Sequence, residues 1–281
     1  MAEPSAAPAA PSTPTLLPLL PVKGTVLFPG LTTTVIAGRP ASVGALRAAA
    51  GSEDKSLVVV AQRDVQTEDP TLEDLYRIGT RAVIRQLGRV EGETGALRAV
   101  LVGTERVVID SIEGSATHRL VRPHPLALPE EGASPAELEA LRRSVVELAQ
   151  RGLELTTPDT DLQVEQILPG SGDPLSLAYV VTSLLPIDVA QQQAVLEAPT
   201  RAQALRLTLE YLRNEVQVLE VRRTIAGAAT EAMQKSQREY ILRQQLRAIQ
   251  QQLGETDGQA AEIAQLRERF DKADLPDAVK Q

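Results

Sequence analysis

The sequence predicts an α+β protein: a small, mostly antiparallel β barrel or sandwich, followed by an α-helical bundle and one very long α-helix. Three observations carry this. From Leu16 to about Leu128, short runs rich in Val, Ile and Thr alternate with turn residues. After PEEGASP at 129–135 the apolar residues recur at helical spacing, and from Thr200 to Leu253 no proline interrupts the chain.

Residues 1–14, MAEPSAAPAAPSTP, offer nothing large to bury and read as a disordered tail. In the β-rich lobe, 15–128, the strand candidates are LTTTVIAG, SLVVVAQ, GTRAVIRQL, LRAVLVG and ERVVIDSI. Gly92 and Gly95 in EGETGA suit positive φ, so Ala82 to Leu87 and Leu97 to Val102 are expected to pair as a hairpin. ASVGALRAAA near Ala41 and TLEDLYRIG near Leu72 read as short helices.

A helical bundle is expected over 129–200, with helices at Ala136 to Leu155, Leu162 to Leu168, Leu175 to Leu185 and Val189 to Leu196. Asp173 and Asp188 are candidate N-caps. A linker helix over 201–253 would reach about 80 Å at 1.5 Å per residue. Its first apolar seam is Leu205, Leu209, Leu212, Val216 and Leu219, which fails at Arg223. A second stripe, Leu242, Leu246, Ile249 and Leu253, lies on another face. The first seam should therefore pack on this chain's bundle and the second on a different partner. GETDG at 254–258 breaks the helix, and 254–281 begins a further helical region that stops without a C-cap, as in a piece of a longer protein.

Apolar residues make up 43% of the 281, and only 2% are aromatic, so the core must be built from Leu, Val, Ile and Ala. With no cysteine, disulfides and thiolate chemistry are excluded. No stretch is long and apolar enough to span a membrane, and nothing resembles a signal peptide, which fits a cytoplasmic location. The net charge of −8 is concentrated at 129–201, where 4 basic residues face 12 acidic ones. The β-rich region is balanced at 13 and 13, without the basic face and stacking aromatics that nucleic-acid binding requires.

Chemistry-bearing motifs are sparse. No glycine is followed by lysine, so a phosphate-binding loop of the G-x-x-x-x-G-K type is absent. Gly170 and Gly172 read as a turn. Ser52 and Lys55 match S-x-x-K without its companion motifs, and His118 and His124 lie among arginines without a carboxylate cluster. No catalytic, cofactor-binding or metal-binding residue is assigned.

Several segments together are similar to the amino-terminal region of the bacterial Lon family of ATP-dependent proteases. LLPLLPVKGTVLFPG at 16–30, VVVAQRD at 58–64, DLYRIGTRAVIRQL at 74–87 and RAVLVGTERVVI at 98–109 follow the family's order, and MQKSQREYILRQQLRAIQQQLGE at 233–255 is the most specific piece. Lys23-Gly24-Thr25 departs from the family pattern at one turn. The resemblance implies a PUA-like first lobe, capture of unfolded or damaged proteins, and a homo-hexameric parent. It also implies an AAA+ ATPase module, which would use ATP and Mg, and a peptidase module with a Ser-Lys pair, both beyond Gln281. Passing substrates to that ring would serve protein quality control.

Capture of varied chains requires exposed apolar surface. Leu27, Phe28, Pro29 and Leu31, at a Pro-Gly turn, and Met233 on the long helix are the candidate substrate contacts, and Leu242, Leu246, Ile249 and Leu253 the candidate assembly contacts. On this reading Phe28→Ser or Leu31→Ser weakens binding and spares stability. A stand-alone peptide-binding scaffold is the alternative, and an RNA-binding module a weaker one.

Overall fold

The Val- and Ile-rich runs form six strands: β1 (Leu17–Val22), β2 (Thr32–Ala37), β3 (Ser56–Ala61), β4 (Ile78–Arg89), β5 (Leu97–Gly114) and β6 (Arg119–Pro125). Helix α1 (Pro40–Gly51) lies between β2 and β3, with Pro40 in its first turn. This computed structural model describes residues 16–90, 92, 95–114, 117–156, 173–252 and 255–272. The candidate tail at 1–14, the candidate helix at Leu162 to Leu168, the Gly170-Gly172 turn and Leu253 fall outside the described residues.

Strand order is β2-β5-β4-β3-β1-β6, and β6 also pairs with β5. Strands β1, β3, β4, β5 and β6 thus close a ring, with β2 laid against the first part of β5. Among the six described strands only β1 and β3 pair in parallel. The expected hairpin is present, with Val83 opposite Val102 and Leu87 opposite Ala99, and Gly92 and Gly95 both take positive φ. LRAVLVG and ERVVIDSI, read as two strands, are one continuous strand of 18 residues. Its first part pairs with β2 and its last with β6, so no turn separates them.

Gly103, midway along β5, is where the Phe28 carbonyl approaches. An added Cβ would stand 2.4 Å from that oxygen, and two hydrogen bonds, Gly30 N–H to Gly103 O and Gly103 N–H to Leu31 O, each 2.9 Å, fix the crossing. Gly103→Ala is therefore expected to cost about 1–3 kcal/mol through forced backbone movement, read as a lower thermal midpoint; an unchanged midpoint would show that the crossing yields freely.

Inside the lobe, Val43, Leu46 and Ala49 of α1 pack on Leu20, Leu57, Ile84 and Leu101. A second cluster joins Leu19, Val58, Val60, Ile109 and Val121. TLEDLYRIG is not helical. Asp74 accepts from the Thr71 amide (2.8 Å) and hydroxyl (2.7 Å) in a turn, and Tyr76 N–H donates to Ala61 O at 3.1 Å, so the backbone groups a helix would use are taken.

Past Pro125 the helices are α2 (Pro135–Thr156), α3 (Pro174–Leu184), α4 (Val189–Glu197), α5 (Arg201–Gln252) and α6 (Glu255–Lys272). Asp173 caps α3 by accepting from Ser176 N–H at 2.9 Å, and Asp188 with Gln191 forms a capping box on α4. Thr200 caps α5 through Gln203 N–H at 3.1 Å. Val26, Phe28 and Ala61 of the first lobe belong to the same buried cluster as Val145, Leu177, Tyr179, Leu196 and Leu205. The apolar core is thus continuous across the boundary expected at 128/129.

Compact units divide instead within α5, one ending at Glu220 and the other starting at Val221. In the first, Leu205, Leu212 and Val216 are buried and Leu209 and Leu219 half-buried, so the first seam packs as expected. In the second, every residue from Val221 to Ile249 is exposed. GETDG is not a full break, because α6 already includes Glu255 to Gly258. Among the described residues no helix is long and apolar enough to cross a membrane.

Candidate functional site

The LFPG turn is built into the junction between barrel and bundle. Leu27 packs in the barrel core with Leu20 and Leu101. Phe28, 1% exposed, stacks on Tyr179 of α3 with ring centroids 5.0 Å apart and planes at 27°. Both candidates for exposed apolar contact are therefore core residues, and the surface reading of Leu27 and Phe28 is corrected. The Pro29-Gly30 turn lies between β1 and β2, and the bundle covers Phe28 beside it. Pro29 and Leu31 remain half-buried, Leu31 against the shared core.

Polar side chains fasten the same junction. Gln192 Oε1 accepts from Val26 N–H at 3.0 Å, and Gln193 Nε2 donates to Ile78 O at 2.8 Å. The buried Arg106 guanidinium, from β5, donates to the carbonyls of Leu196 (2.9 Å), Ala198 (3.2 Å) and Ala127 (2.6 Å). Burial lowers its pKa from the usual guanidinium value. Burial likewise pushes the Tyr179 phenol up to about 12. None of these positions was singled out from sequence, since a lone Arg or Gln in a strand or helix gives no signal of its partner.

The open surface lies next to this junction, on β2. At the end of the sheet order, β2 is hydrogen-bonded on one side only among the described residues. Since Leu31 O accepts from β5, alternation turns the backbone groups of Thr32, Thr34 and Ile36 toward the free edge. Their side chains are exposed, Ile36 at 59%. The edge TTTVIA carries no proline, lysine or other charge to discourage further pairing.

A groove of about 490 Å³ runs between β1 and this edge, lined by Lys23, Thr25, Thr34, Ile36, Arg39 and Glu68 among others. Arg39 is committed to the fold, donating to Pro21 O at 2.8 Å, Gln62 Oε1 at 3.0 Å and Glu68 O at 3.1 Å. Lys23 Nζ lies 2.9 Å from the Glu68 carboxylate, and this contact lowers the Glu68 pKa. Lys23 and Thr25 thus line one wall of the groove, and Gly24 between them takes φ 73°.

The remaining candidates are separate. Ser52 ends α1 and its hydroxyl donates to Ala49 O at 2.7 Å. His124 faces Asp110 at 3.3 Å, and His118 contacts the Thr117 hydroxyl at 3.0 Å. Met233, Leu242, Leu246 and Ile249 are exposed in the second unit.

Comparison with known proteins matches this architecture. A family profile described as the ATP-dependent protease La (LON) substrate-binding domain matches residues 16–214. The Lon protease of Nitrosococcus oceani is 39% identical over 269 residues, covering 94% of this chain and 33% of that protein. The Lon protease of Brevibacillus choshinensis is 33% identical over 267 residues, with 94% and 33% covered. The chain thus spans about a third of the length of the curated relatives it matches. Among solved structures, the N-terminal domain of the Mycobacterium avium complex Lon protease shares the fold at TM-score 0.56 and 23% identity, over 71% of this chain and 98% of that one.

Proposed function

Because the chain belongs to the Lon family, through its substrate-binding domain, we propose that it is the substrate-recognition and assembly region of an ATP-dependent protease. The observation that carries this is the family match over residues 16–214, which takes in both the barrel and the bundle. The proposed role is capture of unfolded or damaged polypeptides and their delivery to an ATPase ring, in a cytoplasmic homo-hexamer. ATP and Mg would act in the modules of the parent protein, and this chain is proposed to catalyse neither ATP hydrolysis nor peptide cleavage.

The contact surface we propose is the β2 edge and its groove, in place of Leu27 and Phe28. An extended segment of an unfolded chain can add to an open strand edge through main-chain hydrogen bonds, which tolerate any sequence, while Ile36 and the half-buried Pro29 and Leu31 supply apolar contact. Met233 is a further proposed contact in the second unit. Affinity is expected to be about micromolar or weaker, because the groove beside β2 is lined in part by Lys23, Arg39 and Glu68 and offers an apolar ligand few buried contacts.

Thr34→Pro tests this directly. Proline on an edge strand removes an outward N–H without touching the ladder on the other side, so the fold should persist while binding of fluorescein-labelled casein, followed by anisotropy, weakens about three- to tenfold, an effect the size of one lost hydrogen bond. Unchanged affinity in a folded Thr34→Pro protein would remove the β2 edge from the site. Absence of casein binding by the unsubstituted chain would count against the capture role itself.

A further inference from the structure

The groove beside β2 does not end with the strand. Only Gly38 and Arg39 separate β2 from α1, and a second pocket of about 320 Å³ opens at the first turn of that helix. Pro21, Arg39, Ser42 and Glu68 line both, so one leads into the other. Leu19, Pro21, Pro40, Ala41 and Pro70 give the second pocket an apolar lining with room for one aliphatic side chain.

The first turn of α1 is short of acceptors. Pro40 has no N–H, and the helical ladder begins with Val43 N–H on Arg39 O at 2.9 Å, which leaves the amides of Ala41 and Ser42 without a carbonyl among the described residues. No side chain caps this 12-residue helix at its start, and no acidic residue lies in its first turn. Ser42 is only 4% exposed and lines both pockets, yet its hydroxyl makes no hydrogen bond among the described residues. Amides and hydroxyl together are donors in want of one acceptor.

Charge agrees with this. Three cations, Lys23, Arg39 and Arg119, and two carboxylates line the connected pockets. Both carboxylates are matched, Glu68 with Lys23 at 2.9 Å and Asp69 with Arg119 at 2.5 Å. Arg39 donates only to neutral oxygens, the carbonyls of Pro21 and Glu68 and the side-chain amide of Gln62. Its charge therefore adds to the positive end of α1, and an anion suits both.

We propose that this corner receives the free carboxyl terminus of a captured polypeptide whose last side chain is apolar. The proposal rests on strand addition at β2 and names the class of chain that edge prefers. The last side chain enters the second pocket, and the carboxylate accepts from the Ser42 hydroxyl and the open amides. Direction follows from charge. A segment lying parallel to β2 brings its carboxylate to α1, whereas an antiparallel one would bring its ammonium against Arg39 and the helix end.

Anisotropy of the 281-residue chain with a fluorescein-labelled, Thr- and Val-rich peptide ending in leucine tests this. The free acid is expected to bind at least about tenfold more tightly than the same peptide amidated at its carboxyl end, the worth of one charge-assisted hydrogen bond. Raising salt should narrow the difference. Ser42→Ala, small and favourable in a helix, should cut the preference about threefold or more and leave binding of the amide unchanged. Ser42→Asp places a carboxylate in the first turn, where helices favour one, and should remove the preference altogether. Circular dichroism checks that each variant is folded. Equal binding of acid and amide, a preference unchanged in folded Ser42→Ala, or no peptide binding where casein binds would overturn the proposal and leave the capture role standing. If neither peptide nor casein binds, both fall.

Discussion

Phe28→Ala is expected to destabilise the first unit by about 3–5 kcal/mol, the usual range for emptying a buried aromatic site. The ring is 1% exposed, and its loss also removes the stacked contact with Tyr179 at 5.0 Å. The barrel and bundle share the core at this point. Their unfolding should therefore shift together, as one lowered urea midpoint followed by circular dichroism. A Phe28→Ala protein of ordinary stability that merely bound casein less well would restore Phe28 to the surface role read from sequence. For Phe28→Ser, which adds a buried hydroxyl, the expected result is now unfolding, not the selective loss of binding first expected.

Arg106→Leu is expected to cost about 3 kcal/mol or more. The substitution strands up to three carbonyls, each worth roughly 1–3 kcal/mol when left unsatisfied and buried. Those carbonyls belong to Leu196, Ala198 and Ala127, at the end of α4 and on the path from β6 to α2. The loss should thus fall where the bundle meets the barrel. Arg106→Lys should recover part of it, since an ammonium keeps the charge without the planar fork. Amide exchange at Val26, whose N–H is held by Gln192 across that junction, is the local readout. Exchange at Val26 and a global midpoint both unaltered in Arg106→Leu would show that water replaces the guanidinium at no cost.

Local signals in the sequence located what local chemistry determines. The hairpin from Ala82 to Val102 was legible because β-branched runs flank two glycines that take positive φ. Asp173 and Asp188 were legible as caps because their acceptors reach an amide three residues on. Burial decided by distant residues was not. Nothing in LFPGL announces that Tyr179, some 150 residues later, will cover Phe28. The turn at Thr71 to Asp74 has the composition of a helix and is diverted by Asp74 and by the Ala61 carbonyl.

The candidate site was legible only as a kind of surface. Exposed apolar residues were expected, but the free edge of β2 depends on which strand stands last in the sheet, a property of topology and not of TTTVIA. For the long helix the reverse held. Its distal stripe, Leu242, Leu246 and Ile249, could be read directly and is exposed.

The junction between barrel and bundle has a consequence for solution conditions. Its described polar contacts join amide side chains and one guanidinium to backbone groups, and none pairs a carboxylate with a cation or uses a histidine. Between about pH 5 and 9, where carboxylates stay ionised and tyrosines neutral, nothing in it titrates. Tyr179 sets the alkaline limit. With its pKa raised to about 12, it holds its contribution below the ordinary tyrosine value near 10 and loses it as pH climbs toward 12. Salt that screens exposed ion pairs such as Lys23 with Glu68 therefore leaves the two lobes docked.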